Sequence, residues 1–266
     1  MENVLFALPF KLLGKKIVFD VYDSQIMPIE RILSKVVDCL ILPAEKRLEQ
    51  IGIEKGAVKR FIEIENVPTF EVSLPAVEGL KREKIYLSYV GVFQKKVRGI
   101  ENLVQMVLED ERFVLDIAGA GDDLEGMIET AANNCSRIHF HGKVQYLQAL
   151  EIMNNSDYIV ALYYPYGSNH TYASPNKSYE SLFLSTPIIT SSDTLVGNKV
   201  IECNTGYVVG HTLEELQSVF EWFETEEYRQ DYLQKCQNCH KIWHNAYSNY
   251  RKDILEGIYL ETLKEL

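Results

Sequence analysis

The sequence predicts an α/β protein with two parallel sheets. Short apolar runs alternate with amphipathic stretches of helical period, the pattern of strands covered on both faces by helices. The alternation stops between Pro68 and Lys84, where the chain loses its period and carries Pro68, Pro75 and Gly79, and then resumes. The chain has 266 residues, 46% hydrophobic and 24% charged, enough to bury a core without staples.

The first series opens with Ile17–Asp20 (IVFD), followed by a helix-like segment from Pro28 to Val37. Cys39–Leu42 (CLIL) is the next strand, Ala44–Gln50 the next helix, and Phe61–Glu65 a further strand. That is roughly three or four strands, a partial N-terminal domain over 1–70, with a linker over 71–84. The second series runs Ile85–Val90, a helix over Ile100–Leu108, Phe113–Ala118 and a helix to about Ala132. Ile138–Phe140 and Gln145–Met153 come next. Tyr158–Tyr164 (YIVALYY) is the most apolar run and suits a strand buried on both faces. After the loop from Pro165 come a helix over Asn176–Leu184 and strands at Pro187–Thr190 and Tyr207–Val209. With about six strands, this is a Rossmann-like domain over 85–235, and the helical residues 236–266 close the chain. Both domains are expected to be Rossmann-like, the N-terminal one incomplete.

Composition excludes several classes. Lys and Arg total 27 against 38 Asp and Glu, a net charge of −11, which repels polyphosphate and argues against a nucleic-acid partner. No apolar run has the length of a spanning helix. Val4–Leu13 is apolar but holds Pro9 and Lys11 and lacks a small-residue cleavage site, so it does not read as a signal peptide. The wider stretch Val4–Lys16 suits at most a peripheral membrane contact. Five cysteines, an odd and scattered set, point to a reducing cytoplasm, peripheral to the inner membrane face at most. Cys236-Gln237-Asn238-Cys239-His240 spells a haem-attachment motif, but within a helical stretch and without an export signal it reads as chance. Gly119-Ala120-Gly121 with Gly126 has the wrong spacing for a dinucleotide fingerprint. His139 and His141 share a strand face with no carboxylate or Cys beside them in sequence. No metal site is expected.

Two strand-end loops carry candidate chemistry. The first reads GVFQKKVRG. Gly91 permits a sharp turn and close approach to a ligand. Lys95, Lys96 and Arg98 gather positive charge at a helix start, which is a phosphate-binding arrangement; a solvated charge run is the plainer alternative. The second ends in SPNKSYE. Ser174 is the expected N-cap and Pro175 the first helical residue. Asn176 and Lys177 then occupy the first turn, whose N–H groups are free. Glu180 follows one turn later on the same side, where its carboxylate suits the vicinal hydroxyls of a ribose. A capping or surface role is the plainer reading of Glu180.

The run SPNKSYESLFLSTPIIT resembles the nucleotide-binding segment of GT-B glycosyltransferases, in particular glycosyltransferase family 4 (glycosyl transferases group 1). SYVGVFQKKVRGIENLV, FVLDIAGAGDDLE and IHFHGKVQYLQALEIMNNSDYIVALYYP agree with that family's other units in order and spacing. The resemblance spans most of Ile85–Gly210. Upstream, IVFDVYDS and FIEIENVP resemble the end of the family's N-terminal half. The resemblance implies a nucleotide-diphosphate sugar as donor, bound by the C-terminal half, and no separate cofactor. Glu180 matches the second Glu of the family's E-x7-E motif, which holds the donor ribose. By the same resemblance Asn176 and Lys177 would lie beside the diphosphate, and Arg98 matches the cation that neutralises it as it leaves. Cations and N–H groups aimed there stabilise the leaving group without a metal. Retention of anomeric configuration, and final helices that cross back to the N-terminal half, are also implied.

The sequence departs from the family pattern in three places. Tyr172 stands where the first Glu of E-x7-E belongs. Val92 replaces the loop cation, a role open to Lys95 or Lys96. The first series is also too short for a full GT-B half, which carries much of the acceptor site. Where a family His often sits, this chain has Tyr22 flanked by Asp20 and Asp23; they are acceptor-side candidates, with strand-end turn chemistry as the alternative. The expected function is sugar transfer to a glycan or lipid-linked acceptor, in surface polysaccharide biosynthesis by analogy. The alternative is a non-catalytic or split nucleotide-sugar-binding module needing a partner for the acceptor side. A sugar-nucleotide epimerase would need carboxylates near the sugar that the sequence does not place. An incomplete sheet exposes an edge strand, so a homodimer or partner subunit, or else poor solubility, is expected.

Overall fold

The computed structural model describes residues 3–21, 36–68, 83–164 and 168–266. It divides into two compact units, one formed by residues 1–69 and 247–266, the other by residues 70–246.

The first unit begins with helix α1 (Asn3–Leu12) and holds a parallel sheet in the order β1 (Val18–Asp20), β2 (Cys39–Leu42), β3 (Phe61–Glu63). All four β2 side chains are buried because each face of the sheet is covered. On one face Leu40 and Leu42 pack with Leu48 and Ile51 of α2 (Arg47–Ile51). On the other, Cys39, Ile41 and Ile62 pack against Tyr259 and Leu266 from the end of the chain. The Glu65 N–H donates to the Tyr250 hydroxyl at 2.5 Å, and Arg60 pairs with Glu265 at 2.8 Å. Helix α2 starts three residues later than the sequence period suggests and ends at Gly52, which adopts the left-handed conformation. The expected helix from Pro28 lies almost wholly outside the described residues, as do Tyr22, Asp23 and most of the 71–84 stretch.

The second unit is a six-stranded parallel sheet. Its strands are β4 (Ile85–Val92), β5 (Phe113–Ala120), β6 (Ile138–Phe140), β7 (Tyr158–Ala161), β8 (Ile188–Ser191) and β9 (Gly206–Val209), in the spatial order β6-β5-β4-β7-β8-β9. The helices after β4 to β8 are α3 (Ile100–Glu109), α4 (Glu125–Asn134), α5 (Tyr146–Asn154), α6 (Ser168–Thr171) with α7 (Asn176–Leu184), and α8 (Leu195–Cys203). Helices α9 (Leu213–Ser218) and α10 (Glu226–Ile242) follow β9. This is the doubly wound order, and the direction of winding reverses between the adjacent strands β4 and β7. Loops leaving the carboxyl ends of two such strands diverge and leave a crevice between them.

The sheet is buried on both faces: β7 and β8 have no exposed residue. β7 ends at Ala161, three residues short of the apolar run, because the chain turns toward the β4 loop, where the Tyr164 N–H donates to the Val97 carbonyl at 2.9 Å. Tyr158 is fully buried and shares a hydroxyl contact of 2.6 Å with Tyr228 of α10. Lys235, 5% exposed, reaches Asp231 at 2.7 Å and Asn204 at 2.8 Å, and its ammonium lies over the Tyr207 ring. This polar set satisfies a charge that burial would otherwise penalise, and it holds α10 on β9. The cysteines of the C-x-x-C-H spelling belong to the same packing. Cys239 contacts the Thr205 carbonyl, and burial pushes the Cys236 thiol up to about 11.

Candidate functional site

The two loops that border the crevice between β4 and β7 touch where Val97 meets Tyr164 and Arg98 meets Tyr163. Residues 93–99, after β4, turn in a left-handed step at Lys96 and again at Gly99, the residue before α3. At Gly99 a Cβ would lie 2.5 Å from Leu162 and 2.7 Å from the Tyr164 hydroxyl, so only glycine lets the loop lie against the residues after β7. The same constraint operates between strand ends. Gly119 has φ +144°, and a Cβ there would fall 1.8 Å from the Gly91 carbonyl oxygen.

Gly91 itself corrects one expectation. It does not make the turn: it sits within β4, and a Cβ on it would meet only the Tyr89 hydroxyl at 4.0 Å. What it leaves is open space at the strand end.

The three cations of the loop differ in their surroundings. Lys95 and Lys96 are exposed, while Arg98 is half-buried. The backbone N–H groups of Lys95 and Lys96 already donate to Asp122 at 3.1 Å and Glu101 at 2.9 Å. Arg98 donates from Nε to Gln94 at 3.0 Å, and its guanidinium lies 4.3 Å from the centre of the Tyr163 ring. Tyr163 comes from the other loop, where its N–H donates to Ser191 Oγ at 2.9 Å and its ring meets His170 edge-on. Burial pushes the Tyr163 hydroxyl up, the Arg98 charge pulls it down and the Glu180 charge raises it. The Tyr163 hydroxyl therefore sits within electrostatic reach of both a guanidinium and a carboxylate.

Glu180 is completely buried, one turn into α7. Its Oε2 accepts from Lys177 Nζ at 2.7 Å and its Oε1 from the Tyr146 hydroxyl at 2.8 Å. A surface role for Glu180 is excluded by that burial. The helix start differs from the expected one. Pro175 occupies the N-cap position and Asn176 is the first helical residue. Ser174 does not cap; its Oγ lies 3.1 Å from the Tyr179 hydroxyl. A prolyl residue at that position has no side-chain oxygen to offer, so the helix itself provides no partner for the N–H groups of Asn176 and Lys177. Asn176 is exposed and Lys177 keeps 17% of its side chain accessible. Tyr172 follows α6 and is half-buried.

Sequence reasoning missed Tyr146, Tyr163 and His170. All three are ordinary residues in sequence, and no spacing marked them; only the meeting of loops from β4, β6 and β7 gives them their partners. It also missed Asp116, whose Oδ1 lies 2.7 Å from His141 and 3.3 Å from His139. The pair thus has a carboxylate beside it after all, supplied by the neighbouring strand β5 at the Asp116–His139 register. Among the described residues no group of three or more His, Cys, Asp or Glu is arranged to hold a metal ion. In the first unit, Asp20 ends β1, and partial desolvation of its carboxyl raises its pKa. No helix among the described residues is long and apolar enough to cross a membrane.

Neither a protein-family model nor a curated protein sequence matches the chain. Solved structures do. A sucrose-phosphate synthase from Thermosynechococcus elongatus superimposes with a TM-score of 0.61 at 18% identity over 90% of this chain and 61% of its own. WaaG, a glycosyltransferase involved in lipopolysaccharide biosynthesis, gives 0.63 at 14% identity over 95% of this chain and 80% of its own. HepE from Anabaena, solved in complex with UDP, gives 0.70 at 14% identity over 99% of this chain and 76% of its own. The chain therefore spans less than two thirds of the synthase. It shares with these structures a GT-B type fold of two parallel-sheet bodies.

Proposed function

We propose that the protein is a glycosyltransferase of the family 4 kind, with a nucleotide-diphosphate sugar as donor in the second unit. The observation that carries this reading is the single environment shared by Arg98, Lys177 and Glu180 around Tyr163 and α7. A guanidinium, an ammonium and free helix N–H groups there match a diphosphate. A buried carboxylate one turn away matches ribose hydroxyls. The fold neighbours give the same direction: one is a sucrose-phosphate synthase, one a lipopolysaccharide glycosyltransferase and one a complex with UDP.

In this reading Gly91 lets the donor approach the end of β4. Arg98 and Lys177 hold the diphosphate, with Asn176 and the backbone beside Ser174 and Pro175, while Lys95 and Lys96 add long-range attraction. As the nucleoside diphosphate leaves, negative charge grows on its phosphate oxygens. Fixed cations and N–H dipoles stabilise that charge more than the ground state. A retaining, metal-independent transfer to a glycan or lipid-linked acceptor, in surface polysaccharide biosynthesis at the cytoplasmic membrane face, completes the proposal. Asp20, Tyr22 and Asp23 are its acceptor-side candidates.

A second reading has its own observation. Tyr172 and Val92 stand where the family carries a carboxylate and a cation, which favours a donor-binding module that depends on a partner subunit or a second copy for transfer.

Calorimetric titration of UDP, GDP and ADP, with Glu180→Ala in parallel, tests the donor site. A ligand at about 100 times its Kd raises stability by about 2.7 kcal/mol, so thermal shift serves as a first screen. Binding that Glu180→Ala weakens supports the proposal. No binding by any of the three to folded protein refutes it.

A further inference from the structure

Glu180 is a fully buried carboxylate whose two oxygens are held by two different elements. Lys177, on its own helix, bonds Oε2 at 2.7 Å, and Tyr146, the first residue of α5, bonds Oε1 at 2.8 Å. The backbone that carries Tyr146 is held in place, while the residue is 45% exposed. The Gln148 side chain accepts from the Gln145 N–H at 3.2 Å, which closes the first turn of α5. Burial and then the Glu180 charge push the Tyr146 hydroxyl well above the usual range, so it remains a donor across the working pH range.

A carboxylate has about four lone-pair sites. Tyr146 and Lys177 each engage one, on different oxygens, so by count each oxygen keeps one acceptor site, shielded from solvent until a ligand displaces the part-exposed Lys177. A vicinal diol presents two O–H donors that need one acceptor on each oxygen of a carboxylate. Binding through two fixed acceptors loses less freedom than binding to a carboxylate that rotates.

We propose that Tyr146 is a positioning residue: its hydroxyl fixes the plane of the Glu180 carboxylate so that one free acceptor on each oxygen meets the two ribose hydroxyls of the donor nucleotide. The proposal rests on the donor-site reading given above. It makes the discrimination of ribose from deoxyribose a property of the Tyr146–Glu180 pair, although Tyr146 touches no ligand in this role.

The test is titration calorimetry of UDP, GDP and ADP against their 2′-deoxy counterparts. For whichever base binds, the native protein prefers the ribose form by about tenfold or more, the worth of a hydrogen bond to a charged group. In Tyr146→Phe that preference shrinks to about threefold or less, with little change for the deoxy form. A purely structural role would weaken both forms alike. An unchanged preference in folded Tyr146→Phe overturns the proposal. Should that variant not fold, Tyr146→Gln and Tyr146→Met repeat the comparison: the first keeps an N–H donor and retains part of the preference, the second loses it, and equal preferences overturn the proposal. Glu180→Gln separates the two levels. If it abolishes the preference while Tyr146→Phe does not, the donor site stands and the Tyr146 role falls. If Glu180→Gln leaves the preference intact, or no nucleotide binds, both fall.

Discussion

The Arg98 guanidinium lies 4.3 Å from the centre of the Tyr163 ring, joining the loop after β4 to the loop after β7 across the point where the sheet reverses its winding. A cation over an aromatic face contributes about 0.5–2 kcal/mol, more as water is excluded.

Arg98→Ala is therefore expected to weaken nucleoside diphosphate binding by about tenfold or more, the scale of a lost charge-assisted hydrogen bond. Arg98→Lys keeps the charge but loses the fork of N–H donors and recovers only part of the affinity. Calorimetry on the three proteins decides this; equal affinities would remove Arg98 from the site.

The glycines at the strand ends give a pair of opposite outcomes. Gly119→Ala forces a Cβ to 1.8 Å from the Gly91 carbonyl at φ +144°, and is expected to cost about 3 kcal/mol or more. Gly91→Ala meets only the Tyr89 hydroxyl at 4.0 Å, so stability should stay within about 0.5 kcal/mol while nucleotide binding weakens. Denaturant melts and calorimetry together read both. A Gly91→Ala protein that binds as tightly as the native one would show that no ligand approaches this strand end.

Asp38 is expected to steepen the acid response of the first unit. Its side chain is 1% exposed, with Lys11 at 2.5 Å, Lys59 at 3.0 Å and the Ile17 N–H at 2.9 Å. Burial alone raises its pKa, but the Lys11 bond, the Ile17 N–H and Lys59 outweigh it and hold the carboxyl well below the usual range. A depressed folded-state pKa gives stability that is present above the unfolded value, about 3.9, and is lost as pH falls from there toward the folded value. Melting temperature should therefore drop steeply below about pH 4, and Asp38→Asn should be less stable at pH 7 with a flatter acid limb. An acid limb of the same steepness in Asp38→Asn would assign the effect to other carboxylates.

The strands were legible because both faces of each sheet are covered, which makes a parallel strand a nearly continuous apolar run: CLIL reads directly as β2, and YIVALYY contains β7 with three residues too many at its end. The helix start at α7 was legible in outline, since Pro175 and the polar first turn mark it. Its cap was misassigned, because whether a serine caps depends on where Tyr179 stands, and that is a matter of packing. The sharp turn expected at Gly91 occurs instead at Lys96 and Gly99, since a glycine in sequence does not say whether it supplies a turn or merely empty space.

Sequence by itself determined the alternation of elements, the two-sheet architecture and the candidate residues Arg98, Lys177 and Glu180, because periodicity and loop composition are local properties. Tertiary structure decided which of these residues meet. Strand order brought the β4 and β7 loops side by side, placed Tyr163 under Arg98, and set Tyr146 of α5 against the Glu180 carboxylate. Those partners lie tens of residues apart, and nothing in a linear spacing records a contact created by the register of parallel strands and the helices packed across them.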